Sequence, residues 1–170
     1  MRYFSGFSLQ NEKHIFRKFL KESEFNVAGF SYGSILAFEY VLKSKSRIDI
    51  LQLFSPAFFQ ESSEKFIRLQ LIYFQKDKDK YIDTFINNSF FPNQVLDNLE
   101  KGQSEYKDLE KLLKFKWNEK DFKKILDKGI EIEIFIGEKD KIVDSQKASL
   151  FFQKFGTLCF IKNVGHTLSG

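Results

Sequence analysis

Gly29-Phe30-Ser31-Tyr32-Gly33 sets a serine between two glycines in the pattern G-x-S-x-G. A serine on a sharp strand-to-helix turn exposes its hydroxyl at the helix N-terminus, and small flanking residues let neighbouring backbone pass close by. The chemistry this suits is attack on a carbonyl, with the amide of Tyr32 and the helix dipole meeting the charge that develops on oxygen. A hydroxyl is a weak nucleophile near neutral pH, so it needs a general base, and the base needs an acceptor to hold its tautomer. The base expected here is His166, in Asn163-Val164-Gly165-His166, whereas His14 lies in a charged stretch and reads as a surface residue. For the acid, Gly137-Glu138-Lys139-Asp140 favours Asp140, with Asp144 as the alternative.

Five short apolar stretches are predicted strands: Arg2 to Phe4, Phe25 to Gly29, Ile48 to Phe54, Ile130 to Ile136 and Thr157 to Ile161. Between them, helical patterns run from Ser34 to Leu42, Asn118 to Lys128 and Ser145 to Phe155, and Asn11 is expected to cap a first helix carrying Ile15, Phe16, Phe19 and Leu20. Strands alternating with helices predict a parallel sheet, since parallel neighbours need crossover connections. The fold class is therefore α/β, and Ser31, Asp140 and His166 all fall just after strands, at the carboxyl edge where sites of open α/β sheets gather. Ala57 to Trp117 breaks the alternation with helix-period residues such as Phe66, Leu69, Ile72 and Tyr73. Residues 1–56 and 118–170 are expected to form the core and residues 57–117 a helical cap.

Composition narrows the classes. With 42% hydrophobic and 29% charged residues in 170, two prolines and nine glycines, the chain is neither disordered nor fibrous. No apolar run approaches the roughly 18 residues of a membrane span, and Met1 to Gly6 do not resemble a signal peptide, so a cytoplasmic protein is expected. A single cysteine, Cys159, excludes an internal disulfide and reads as a small core residue. Two histidines make a multi-histidine metal centre an unattractive reading, and no metal or other cofactor is expected. A net charge of +4 favours an acidic partner but is too small for nucleic-acid binding.

The elbow, the G-x-x-D turn, the terminal Gly165-His166 and the helical cap together resemble the α/β-hydrolase superfamily, whose chain order of serine, acid and histidine is the one found here. The likeness implies that Phe4-Ser5-Gly6-Phe7 is the oxyanion loop, with Ser5 at the usual histidine position and the backbone N–H of Phe7 as second donor beside that of Tyr32. Two departures from that pattern are expected: a truncated sheet of five parallel strands with an exposed edge at Arg2 to Phe4, and no final helix after His166. In length and cap the chain is similar to the short pimelyl–acyl carrier protein methyl ester esterases of biotin synthesis, the BioV type. That likeness implies hydrolysis of a pimeloyl methyl ester carried on acyl carrier protein. Phe58, Phe59, Phe66, Tyr73 and Phe74 would then be candidates for an acyl pocket, and the pairs Lys65/Arg68 and Lys111/Lys114, each at i and i+3, candidates for carrier docking. Residues 57–117 hold ten basic and ten acidic side chains, so any such dock is a local patch. The alternatives are a carboxylesterase acting on small free esters and a degenerate hydrolase fold serving as a binding module.

Overall fold

The computed structural model describes residues 1–169; the terminal Gly170, included in the expected core, lies outside them. Five strands form one sheet in the order β1-β2-β3-β4-β5: Arg2–Phe4, Asn26–Phe30, Ile50–Phe54, Glu131–Gly137 and Thr157–Ile161. Every pairing is parallel. β2 is buried along its whole length, and β3 and β4 nearly so, as near-continuous apolar strands are when both faces of a parallel sheet are covered. The pairs Phe4↔Gly29, Phe30↔Phe54, Phe54↔Phe135 and Gly137↔Ile161 hold the carboxyl ends nearly level. Chain leaving β1, β2, β3, β4 and β5 therefore emerges along one edge.

Aromatic packing fixes both faces. On one, Phe16 stacks on Phe54 at 4.7 Å and Phe19 meets Phe135 at 5.3 Å. On the other, the helices α1 (Tyr32–Lys43), α5 (Glu119–Leu126) and α6 (Ser145–Phe152) meet around Phe122, which lies 4.5 Å from Phe38 and 4.3 Å from Phe155 between ring centroids. The remaining helices, α2 (Glu64–Lys76), α3 (Lys78–Phe90) and α4 (Tyr106–Lys114), lie between β3 and α5 in sequence and pack on one another. They reach the core at Phe7, whose ring touches Phe74 and Phe85.

Two expectations change. The segment after Asn11 is only a 3-10 helix, Glu12–Phe16, and Asn11 does not cap it. Its side-chain amide instead bonds the 98–100 segment, donating to Asn98 O and accepting from Glu100 N–H, while Glu12 turns inward. Cys159 is half-buried rather than buried, because β5 is an outer strand of the sheet. The edge at β1 is as expected: Arg2 is exposed, with its guanidinium 4.3 Å from the Tyr40 ring.

Phe122 has no exposed surface and touches several aromatic rings. Phe122→Ala is expected to cost about 3 to 5 kcal/mol by urea unfolding. A loss below about 1 kcal/mol would show that the cluster is not a packed core.

Candidate active site

Ser31 sits between β2 and α1 with φ 54° and ψ −115°. A non-glycine residue avoids this region unless its surroundings hold it there. Here its N–H donates to Phe54 O at 2.9 Å, its carbonyl accepts from Ala57 N–H at 3.3 Å, and the Ser34 hydroxyl ties Gly29 O at 2.7 Å. The two glycines of the motif are required by close approach. A Cβ on Gly29 would stand 2.2 Å from Gly33 O, and one on Gly33 would stand 2.0 Å from Phe4 O.

Ser31 Oγ donates to His166 Nε2 at 2.8 Å, and His166 Nδ1–H donates to Asp140 Oδ2 at 2.6 Å. The second oxygen, Asp140 Oδ1, accepts from the N–H groups of Ile142 at 2.7 Å and Val143 at 3.0 Å. Both carboxylate oxygens are thus used, and the imidazole is locked in the tautomer that leaves Nε2 free to accept. Asp144, the alternative acid, is occupied elsewhere: it caps α6 by accepting from Lys147 N–H. The acid and histidine loops are bonded together through Lys139 N–H to Val164 O and Asn163 N–H to Glu138 Oε2. Ser55, just beyond the end of β3, donates to His166 O at 2.6 Å from a backbone at φ 40°. Its only signal in sequence is its position directly after β3.

The amides of Phe7 and Tyr32 find no acceptor among the described residues, leaving both N–H groups free for a developing oxyanion. The loop that carries Phe7 is joined to the inserted segment by Ser8 N–H to Ser104 Oγ at 2.9 Å and Gly102 N–H to Ser8 O at 2.9 Å. These contacts span about a hundred residues and have no local sequence signature. The Tyr32 phenol donates to Asp108 on α4 at 3.2 Å. Burial, reinforced by that carboxylate, pushes the phenol well above its usual range, so it remains a donor.

The site is covered. Ser31 is 1% exposed, His166 0% and the Asp140 side chain 0%. A cavity of about 210 Å³ lies between the inserted helices and the loop after Asp140, lined by the apolar Phe59, Phe66, Phe85 and Leu113 and by polar groups that include Asn88 and Lys141, while Ser31 and His166 are not among its lining residues. Of the five expected pocket residues, only Phe59 and Phe66 line this cavity. Phe58 packs on Phe151 and Phe152, and Phe74 is buried against Phe7 and Tyr81. Tyr73, two turns beyond Phe66 on α2, is 52% exposed and lines a separate groove that shares Tyr81 and Thr84 with the cavity. Among the expected docking residues, Lys111 is paired with Glu39 on α1, holding α4 down. Lys114 pairs with Glu110 and, with Arg68 and Lys116, rims a separate groove of about 510 Å³ floored by Ile67 and Leu71; Lys65 lies outside that groove.

No family model and no curated protein sequence matches the chain. Solved structures do. MenH from S. aureus is 15% identical with a TM-score of 0.61, over 98% of this chain and 85% of that one. The naproxen esterase, carboxylesterase NP, from Bacillus subtilis is 17% identical with a TM-score of 0.56, over 85% of this chain. A bromoperoxidase from Bacillus anthracis is 16% identical with a TM-score of 0.63, over 84% of this chain. The chain spans 54% of the length of the carboxylesterase and 60% of the bromoperoxidase. At such identities the likeness shows the fold, which is a truncated α/β-hydrolase fold of five parallel strands flanked by helices. No helix among the described residues is long and apolar enough to cross a membrane.

Ser55→Ala removes the hydroxyl that satisfies the buried His166 carbonyl. The expected cost is about 1 to 3 kcal/mol in urea unfolding. The exposed Ser46→Ala is the comparison, with an expected change within about 0.5 kcal/mol. Equal effects would remove Ser55 from the support of the histidine loop.

Proposed function

We propose that this protein is a serine esterase. The observation that carries the reading is the continuous hydrogen-bonded chain from Ser31 through His166 to Asp140 at the carboxyl edge of the sheet. Ser31 Oγ attacks the ester carbonyl while His166 Nε2 takes its proton. The amides of Phe7 and Tyr32 hold the tetrahedral oxyanion, and Asp140 stabilises the imidazolium. On collapse, His166 returns the proton to the departing alkoxide, which leaves as the alcohol. Water, deprotonated by His166, then frees the acid and restores Ser31. Because the reacting groups are covered, an ester reaches Ser31 only when the inserted helices shift, and their return excludes bulk water from the intermediate.

In its finer form the proposal assigns the substrate as the methyl ester of a pimeloyl chain carried on acyl carrier protein, giving methanol and a free ω-carboxylate. Two features support an acyl chain on an acidic carrier. The cavity next to the loop after Asp140 has several apolar lining residues, and the groove along α2 combines the apolar Ile67 and Leu71 with Arg68, Lys116 and Lys114, the last paired with Glu110, against one lining carboxylate, Glu64. The finer proposal also places the protein in the cytoplasm, where carrier-bound acyl chains are made and used.

Ser31→Ala and His166→Ala are each expected to lower kcat by at least about a thousandfold; Ser31→Ala should leave the unfolding midpoint nearly unchanged, whereas His166→Ala, which leaves Asp140 buried without its partner, should stay folded at a lower midpoint. Asp140→Asn should lose most activity and Asp144→Asn very little. An active Asp140→Asn beside a crippled Asp144→Asn would reverse the assignment of the acid.

Charge reversal at Arg68 or Lys116 is expected to raise KM for the carrier-bound ester several-fold and spare p-nitrophenyl butyrate. Added salt should act in the same selective way, since a charge field of this kind is screened over about 8 Å at physiological ionic strength. Parallel losses on both substrates would favour a carboxylesterase of small free esters.

A further inference from the structure

Glu12 is a carboxylate with 0% exposure, placed on the 3-10 helix behind the loop that carries Phe7. Burying such a group without a cation is costly, and among the described residues no lysine, arginine or histidine pairs with it. Its contacts are uneven. Oε1 accepts from Gly6 N–H at 2.8 Å and from the Tyr3 phenol at 3.2 Å, whereas Oε2 has no partner. One carboxylate oxygen therefore does all the bonding, and its shorter bond is to the residue immediately before Phe7.

Gly6 is closely packed: a Cβ there would stand 2.7 Å from the Phe30 ring, whose centroid is 5.0 Å from that of the His166 ring. On the other side of Phe7, Ser8 is held at φ 56° with its N–H on Ser104 Oγ. The Phe7 amide is thus carried on a loop pinned at the residue before it by Glu12 and at the residue after it by the inserted segment. A donor aimed at an oxyanion loses its effect when misplaced by a fraction of an ångström.

We infer that Glu12 is a positioning residue for the oxyanion hole: its Oε1, by accepting from Gly6 N–H, aims the Phe7 amide at the developing oxyanion. This rests on the esterase reading above. The role belongs to the position of one oxygen and not to the charge, and two conservative variants separate these. Glu12→Asp keeps the carboxylate but draws the oxygen back by one methylene. Glu12→Gln keeps an oxygen within reach of Gly6 and removes the charge.

The experiment is steady-state hydrolysis of p-nitrophenyl butyrate by the wild-type chain and both variants, with thermal unfolding recorded for each. Glu12→Asp is expected to lose about tenfold or more in kcat with KM changed less than about twofold, and Glu12→Gln to lose no more than about threefold. If Glu12→Asp does not fold, Glu12→Met, of similar size but without an acceptor, takes its place with the same expectation. The inference is overturned if Glu12→Asp keeps its kcat, if Glu12→Gln falls as far as Glu12→Asp, or if KM rises as kcat falls. A wild-type chain inert to the ester and unlabelled at Ser31 by a fluorophosphonate would overturn the esterase reading itself, and this inference with it.

Discussion

A serine backbone at φ 54° and ψ −115° costs on the order of 1 to 3 kcal/mol, and much of the surrounding structure serves to hold Ser31 there. The sheet supplies an acceptor at Phe54 O, the chain beyond β3 supplies a donor at Ala57, and two glycines let β1, β2 and α1 approach closely enough to close the turn. That constraint aims the hydroxyl. With Oγ fixed at the start of α1, the level carboxyl ends of β4 and β5 bring Asp140 and His166 into line with it.

The electrostatics follow from the same geometry. Asp140 is shielded from water yet fully bonded, with one oxygen on two backbone amides and the other on His166. A carboxylate held in this way is fixed where an imidazolium would need it, and low local polarity strengthens the attraction. The inserted segment is tied to the core by Lys111 with Glu39, Tyr32 with Asp108 and the strap between residues 8–11 and 98–104. That strap thus ties the loop bearing Phe7 to the inserted segment.

What could be read from the sequence was local. Ser31, Asp140 and His166 each follow a short apolar strand, so pattern and strand ends sufficed to bring them to one edge, and the strand at Thr157–Ile161 was placed to the residue. Contacts between distant segments escaped. Nothing near Ser104 or Gly102 marks them as partners of Ser8, and Glu12 reads as one more charged residue until its fully buried side chain is seen. The family likeness made Phe66, Tyr73 and Phe74 equivalent pocket candidates, but only packing separates a cavity wall from an exposed ring and a core contact. The helix expected after Asn11 failed for a related reason, because its capping side chain bonds the inserted segment instead.

The central claim is that the Ser31 hydroxyl is activated by His166 inside an assembled site. Mass spectrometry of the chain after brief exposure to a fluorophosphonate measures this most directly. The account predicts a single adduct, on Ser31, that forms at least about a hundredfold more slowly in His166→Ala. No adduct, an adduct on Ser34 or Ser55, or equal labelling of wild type and His166→Ala would contradict it.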